Sequence, residues 1–309
     1  MNIDNNLQIK STNQTPPTAP KCLKWDGHTH THFCRHGSPA HMSAYIERAI
    51  GQGFERYSVT EHPPLPDGWV RNEALFAELA MREDELPDYF DCLLEQKAAH
   101  AGRIEVGVGL ELDYLPGNEA YTDRLVDRWG DKLEDIVMSV HFLPGKDGMR
   151  CIDYTPADFT DGLLSYYGSL SAVVDEYFNH VEAAIEQASR FPAHIRKRVG
   201  HPCLIEKFRL ALPPFDEGQI SARLKALLPK LADGDISVDV NIAGFRKDTC
   251  RKPYVPEWYI AACIERGIPL VYGTDAHNPD DVGKEWDWYE QAITSATGTA
   301  TENGAESGK

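Results

Sequence analysis

The residues with the clearest chemistry are histidines and carboxylates at short, repeated spacings. His28 and His30 stand two apart in D-G-H-T-H, and His36 follows six residues later. His62 closes T-E-H, Glu111 lies in G-L-E-L-D, His141 in S-V-H-F and His201 in G-H-P, and Asp275 and His277 stand two apart in G-T-D-A-H. On an extended segment, residues two apart point to the same face, so each pair can share one ion. Neutral imidazole suits Zn, Fe and related ions, and a carboxylate can bridge two of them. Seven histidines and two carboxylates exceed what one ion needs, so the set implies about three divalent ions (Zn, Fe or Mn) with shared ligands.

The elements that must deliver these groups are short strands separated by helical stretches. Strands are expected at 22–26, 56–60, 104–110, 135–140, 196–200, 235–241 and 268–273, rich in Val, Ile and Tyr and bounded by Gly, Asp or Pro. Helical patterns fill 43–51, 87–101, 120–129, 169–189, 217–231 and 256–266, with Pro256 at the first helical position of the last. This alternation argues for an α/β protein with parallel strands and helices outside. A closed barrel is favoured over an open doubly wound sheet, because no G-x-G-x-x-G or G-x-x-x-x-G-K-[ST] follows any strand. In such barrels working groups collect at the C-terminal ends of the strands, and six of the strand candidates end in a candidate ligand. Residues 1–22 and 289–309 are polar and expected to be disordered tails, leaving 23–288 as one domain.

The 309 residues carry 31 Lys+Arg against 48 Asp+Glu, a formal net charge of -17. That balance argues against a nucleic-acid or anionic-membrane partner, since both need a positive field. An anionic substrate then needs local positive charge from metal ions or a few placed cations. No apolar run approaches the roughly 20 residues that span a bilayer, and the N-terminus has no apolar signal core. The seven cysteines (22, 34, 92, 151, 203, 250 and 263) are scattered, without a C-x-x-C pair. Reduced thiols in a cytoplasmic protein are expected. Nothing in the composition indicates an oligomeric state.

Taken together, D-G-H-T-H with His36, T-E-H, G-L-E-L-D, S-V-H-F, G-H-P and G-T-D-A-H resemble the polymerase-and-histidinol-phosphatase (PHP) family over residues 23 to about 286. The resemblance implies a distorted (β/α)7 TIM-like barrel with a trinuclear metal centre. It would place His28, His30, Glu111 and Asp275 on one ion, Glu111, His141 and His201 on a second, and His36, His62 and His277 on a third. H-T-H-F-C-R-H-G at 30–37 and V-N-I-A-G-F-R-K at 240–247 are most similar to the free-standing histidinol-phosphate phosphatases of that family. The implied activity is hydrolysis of a small-molecule phosphate ester, L-histidinol phosphate, in histidine biosynthesis. A water or hydroxide bridging two ions would attack phosphorus. The segment from Gly145 to Gly168 is long for the family, and Ile242 follows Asn241 where a hydroxyl residue is expected.

Glu111, Asp275 and His277 are the candidate catalytic groups. Asp26, Glu61 and Asp113 lie beside ligands and can orient imidazoles. Arg35, Arg246 and Lys247 sit near the same rim and are candidates to bind phosphate. Cys34 and Cys203 lie two residues from His36 and His201, but the ligand set is complete without them. His32, His41, His100, His180 and His194 are read as structural or solvated. Three other readings fit parts of the pattern. A PHP phosphoesterase acting on nucleotides or DNA ends conflicts with the acidic charge. An amidohydrolase lacks its middle-strand lysine. A non-catalytic metal-binding protein would keep the ligands and lose turnover.

Overall fold

Seven short strands run parallel in one sheet whose ends curl toward each other, in a computed structural model that describes residues 23–306. The sheet strands are β1 (Trp25–Asp26), β2 (Arg56–Glu61), β3 (Glu105–Asp113), β4 (Asp135–Ser139), β7 (Arg196–Val199), β8 (Ser237–Asn241) and β9 (Leu270–Gly273), adjacent in that order. A separate antiparallel hairpin, β5 (Phe142–Gly145) and β6 (Gly148–Cys151), follows His141. The long helices are α1 (Met42–Gly51), α2 (Glu73–Leu79), α3 (Leu86–Ala99), α4 (Glu119–Trp129), α7 (Leu170–Ser189), α8 (Glu217–Asp233), α9 (Glu257–Glu265) and α10 (Trp286–Glu306). The short α5 (Pro156–Asp158) and α6 (Ser165–Tyr167) flank a π-helix at Phe159–Leu164.

The chain alternates because each parallel strand needs a crossover to return to the same end of the sheet. The core fills the space between sheet and helices, with Tyr45, Leu93, Val108, Tyr177, Leu227, Val240 and Ile260 all fully buried. The circle closes through backbone bonds between the segments that follow β1 and β9. Gly27 N–H donates to Tyr272 O (2.8 Å), Asp275 N–H to His28 O (2.8 Å) and His30 N–H to Ala276 O (3.0 Å), and Thr29 bridges Ala276 in parallel. The barrel is thus sealed by its candidate ligand segments.

Arg198 lies buried inside the barrel, in contact with the seam residue Gly27. Its guanidinium meets Asp135 Oδ1 at 3.1 Å, donates to Gly27 O at 2.6 Å, and stacks over Trp25 with its carbon 5.0 Å from the ring centre. Among the described residues, no helix is long and apolar enough to cross a membrane.

Two elements depart from the sequence reading. The C-terminal tail expected from residue 289 is helical through Glu306, and Tyr289, Ala292, Ile293 and Ala296 place an apolar stripe of that helix against the core. The expected tail 1–22 and residues 307–309 lie outside the described residues. Pro256 is the residue before α9 rather than its first turn. The 145–168 segment is built as a hairpin arm and a π-turn helix whose Phe159 and Leu163 are fully buried.

Candidate metal centre

All nine candidate ligands converge at the C-terminal mouth of the barrel. Contacts of 3.5 Å or less link them into one network. His36 Nε2 lies 3.0 Å from His277 Nε2. His277 Nδ1 lies 3.4 Å from Asp275 Oδ1, which lies 3.1 Å from His30 Nε2. Glu111 is the hub. Its Oε2 faces His28 Nε2 (3.1 Å), His62 Nδ1 (3.3 Å) and His30 Nε2 (3.4 Å). Its Oε1 faces His201 Nε2 (2.9 Å) and His141 Nε2 (3.5 Å).

Strand register explains the hub. Glu111 and Asp113 are two apart on β3, so both point into the barrel, and Asp113 pairs with Ser139 at the end of β4. His201 and Asp275 leave β7 and β9 with left-handed backbones, φ 26° and 53°. A non-glycine residue rarely adopts that conformation, and here it turns both side chains inward. Two glycines are needed for close approach. A Cβ on Gly273 would stand 2.0 Å from Asp239 Oδ1 and 2.8 Å from His28 Cβ, and one on Gly200 would stand 2.1 Å from Ser139 Oγ.

Outer partners fix the rings. His28 Nδ1 is 2.7 Å from Asp239 Oδ2, His30 Nδ1 is 3.1 Å from Glu61 Oε1, and His141 Nδ1 is 2.7 Å from Asp113 Oδ1. His36 Nδ1 reaches Glu78 O at 2.8 Å and His277 Nδ1 reaches Asp275 O at 3.0 Å. Each acceptor holds the imidazole proton on Nδ1 and leaves the Nε2 lone pair facing the centre. Asp113 and Glu61 thus orient the candidate ligands His141 and His30. Asp26 instead accepts from the Thr274 N–H (3.0 Å) and hydroxyl, anchoring β9. Burial pushes its carboxyl up to about 7.

The donor set fits divalent cations. The Nε2 atoms of His28 and His30 are buried and make no hydrogen bond, although each has a carboxylate oxygen at 3.1 Å. Lone pair facing lone pair at that distance is repulsive unless a positive charge lies between. The protonation tendencies agree. Burial raises Glu111 and Asp275, yet the surrounding imidazoles, His28 first, hold both well below the usual carboxylate range. Burial and the neighbouring His30 depress His62 and His277, keeping them neutral. Burial opposes charge on His28, His30 and His141 as well, but adjacent carboxylates raise His28 well above its ordinary value, His30 to about 9 and His141 to about 10. The carboxylates therefore demand positive charge, and metal ions supply it to deprotonated ligands. Cys34 Sγ lies within 4.8 Å of ligand atoms of His30, His62 and His277, whereas Cys203 is buried away from this group.

The network forms one wall of a cavity of about 340 Å³. Asp153, Tyr154, Lys207, Lys247 and Tyr254 are among the residues that line its other walls. Lys207 Nζ pairs with Asp153 Oδ2 at 2.8 Å, and that cation holds Asp153 far below its ordinary carboxyl range despite burial. Of the three cations that the sequence proposes for phosphate, Lys247 lines this cavity. Arg35 pairs with Glu85 and lines a different hollow. Arg246 donates to Thr274 O at 2.6 Å and lies 3.7 and 3.5 Å from Asp281 and Glu285, which ties it to the outer rim. The sequence reading misses Lys207, Asp153 and Asp239. The only signal for Asp239 is an acid between two valines in the middle of strand β8.

The sequence matches the PHP domain family over residues 26–241. It is 33% identical over 260 residues to the histidinol-phosphatase of Bacillus subtilis, covering 84% of this chain and 96% of that one. The hisK structure from Listeria monocytogenes superposes with a TM-score of 0.81 at 31% identity, covering 86% of this chain and 100% of the other. A histidinol phosphate phosphatase from Lactococcus lactis, solved with Zn, L-histidinol and phosphate, shares the fold at 17% identity with a TM-score of 0.62, covering 89% of this chain and 94% of that one.

Proposed function

This chain belongs to the PHP domain family, and on that premise we propose that its cavity hydrolyses L-histidinol phosphate to L-histidinol and inorganic phosphate. The observation that carries the reading is the bridging position of Glu111, whose two oxygens serve two groups of imidazoles at the wall of a cavity sized for a small phosphate ester. The 33% identity to the Bacillus subtilis histidinol-phosphatase across nearly its whole length supports the substrate.

Three divalent ions, Zn, Fe or Mn, are the cofactors of this reading. His28, His30, Glu111 and Asp275 would hold one, Glu111, His141 and His201 a second, and His36, His62 and His277 a third. When bound, they would polarise the phosphoryl oxygens and lower the pKa of water. The chain's own residues do the rest. Glu111, Asp275 and His277 are the catalytic candidates, and Asp275 and His277 are the partly exposed members that reach the cavity. Lys207 and Lys247 bring the positive charge that a phosphate requires to an acidic chain. The Asp153 carboxylate, kept ionised by Lys207, suits an organic cation, and Tyr154 and Tyr254 offer ring surface to an imidazole.

A phosphate-release screen of the metal-analysed protein tests this reading, comparing L-histidinol phosphate with nucleotides, sugar phosphates and single-stranded DNA. Histidinol phosphate is expected to give the highest kcat/KM, with activity lost on chelation and restored by added metal. A preferred nucleotide or DNA end would overturn the substrate, and a metal-loaded protein no faster than buffer would overturn catalysis.

A further inference from the structure

A second group of soft ligands stands outside the cavity. His32 lies in the loop after β1, His41 caps the N-terminus of α1, and Cys92 lies on α3. One ligand atom from each lies within 4.8 Å of the others. Cys92 Sγ is 3.6 Å from His41 Nε2, and the two imidazole rings are 4.9 Å apart, tilted by 31°. For a tetrahedral Zn²⁺ with bonds of roughly 2.3 Å to sulfur and 2.0–2.1 Å to nitrogen, the sulfur–nitrogen edge is about 3.6 Å.

We propose that His32, His41 and Cys92 form a separate site for a thiophilic divalent cation of the Zn²⁺ class. Each ligand has the required freedom. His41 Nδ1 accepts the Ser43 N–H at 3.3 Å and lies 2.9 Å from Ser43 Oγ; on metal binding the ring proton would move to Nδ1, with Ser43 Oγ accepting it in place of the cap contact, and the Nε2 lone pair would face Cys92. His32 Nδ1 is buried and has no hydrogen-bond partner. Cys92 is a free thiol, half-buried, and none of the three residues lines the catalytic cavity. On binding, the Cys92 S–H bond breaks, its proton passes to buffer, and a sulfur–metal bond forms. His41 is exposed, so water can complete the coordination. A thiolate among two imidazoles selects softer ions over Mg²⁺ or Mn²⁺, and the ion would tie together the loop bearing His30 and His36, α1 and α3.

The test uses the full chain with its resident metals in place, titrated with Co²⁺ and followed by metal content and by the thiolate-to-cobalt charge-transfer band. The wild type is expected to take up one further equivalent with that band. Cys92→Ser and His41→Ala are expected to lose both while keeping the wild-type kcat/KM. Absence of the band at saturating Co²⁺, or an equal band and content in Cys92→Ser, would overturn the site. Should the variants fail to fold, alkylation of Cys92 in the wild type decides. Zn²⁺ is expected to slow it at least tenfold, and an unchanged rate would show a simple thiol–imidazole contact.

Discussion

Asp239 Oδ2 accepts the Nδ1 proton of His28 at 2.7 Å, across 211 positions of sequence and with both side chains wholly buried. The same oxygen lies 3.2 Å from the His201 N–H and from the Asn241 amide, so one carboxylate orients two ligand segments. Asp239→Asn keeps the shape but cannot hold the proton on Nδ1 in the same way. Losing such a partner typically weakens metal affinity or activity by about 10- to 100-fold. The expected outcome is a loss of that size in metal affinity by competition with a chelator, with kcat recovering at high metal concentration.

Glu111→Ala removes the carboxylate that faces five imidazoles. Metal analysis is expected to show lost metal, and phosphate release is expected to fall to background. A variant with full metal content and wild-type turnover would remove Glu111 from the centre.

The cavity cations separate binding from scaffolding. Lys247→Ala is expected to raise KM for a phosphate ester by about tenfold, the scale of one charge-assisted contact of roughly 1.5 kcal/mol, and Lys207→Ala by at least as much, because it also leaves the cavity carboxylate Asp153 without its paired cation. Arg246→Ala is expected to leave KM within about twofold, because its guanidinium is engaged by Thr274, Asp281 and Glu285. Steady-state kinetics on the three variants decides between them.

Arg198→Leu tests the barrel interior. The substitution leaves the buried Asp135 with Arg196 and the Ser58 hydroxyl but without its inner cation. Breaking a buried pair from one side costs about 3–5 kcal/mol, and the surviving partners place the expected loss near 3 kcal/mol. Urea unfolding is expected to show a lower midpoint with an unchanged slope.

The sequence exposes most of the candidate ligands because they sit at or shortly after the end of a strand, where local pattern marks both the strand and its end. His28, Glu111 and His277 can therefore be read one segment at a time. Asp239 cannot, since an acid inside β8 has meaning only once His28 is folded beside it. Arg246 shows the reverse. Its position near the rim is legible, but the carboxylates of Asp281 and Glu285 that claim it are known only in three dimensions. Helix α10 escapes notice because Thr, Ser and Gly dilute its propensity, while Tyr289, Ile293 and Ala296 supply the face that packs. The 145–168 segment hides its role in the same way, since no local pattern indicates that it brings Asp153 and Tyr154 to the cavity.

The closure between β1 and β9 has a consequence for biosynthesis. The seam is made by residues near both extremes of the folded unit, Gly27 to His30 on one side and Tyr272 to His277 on the other. A nascent chain emerging from the ribosome can align β1, β2 and β3 early, yet it holds only part of the pocket until its last strand is released. Completion of the centre therefore waits for the last strand, and a polypeptide truncated before residue 270 would lack both the seam and two of the nine candidate ligands.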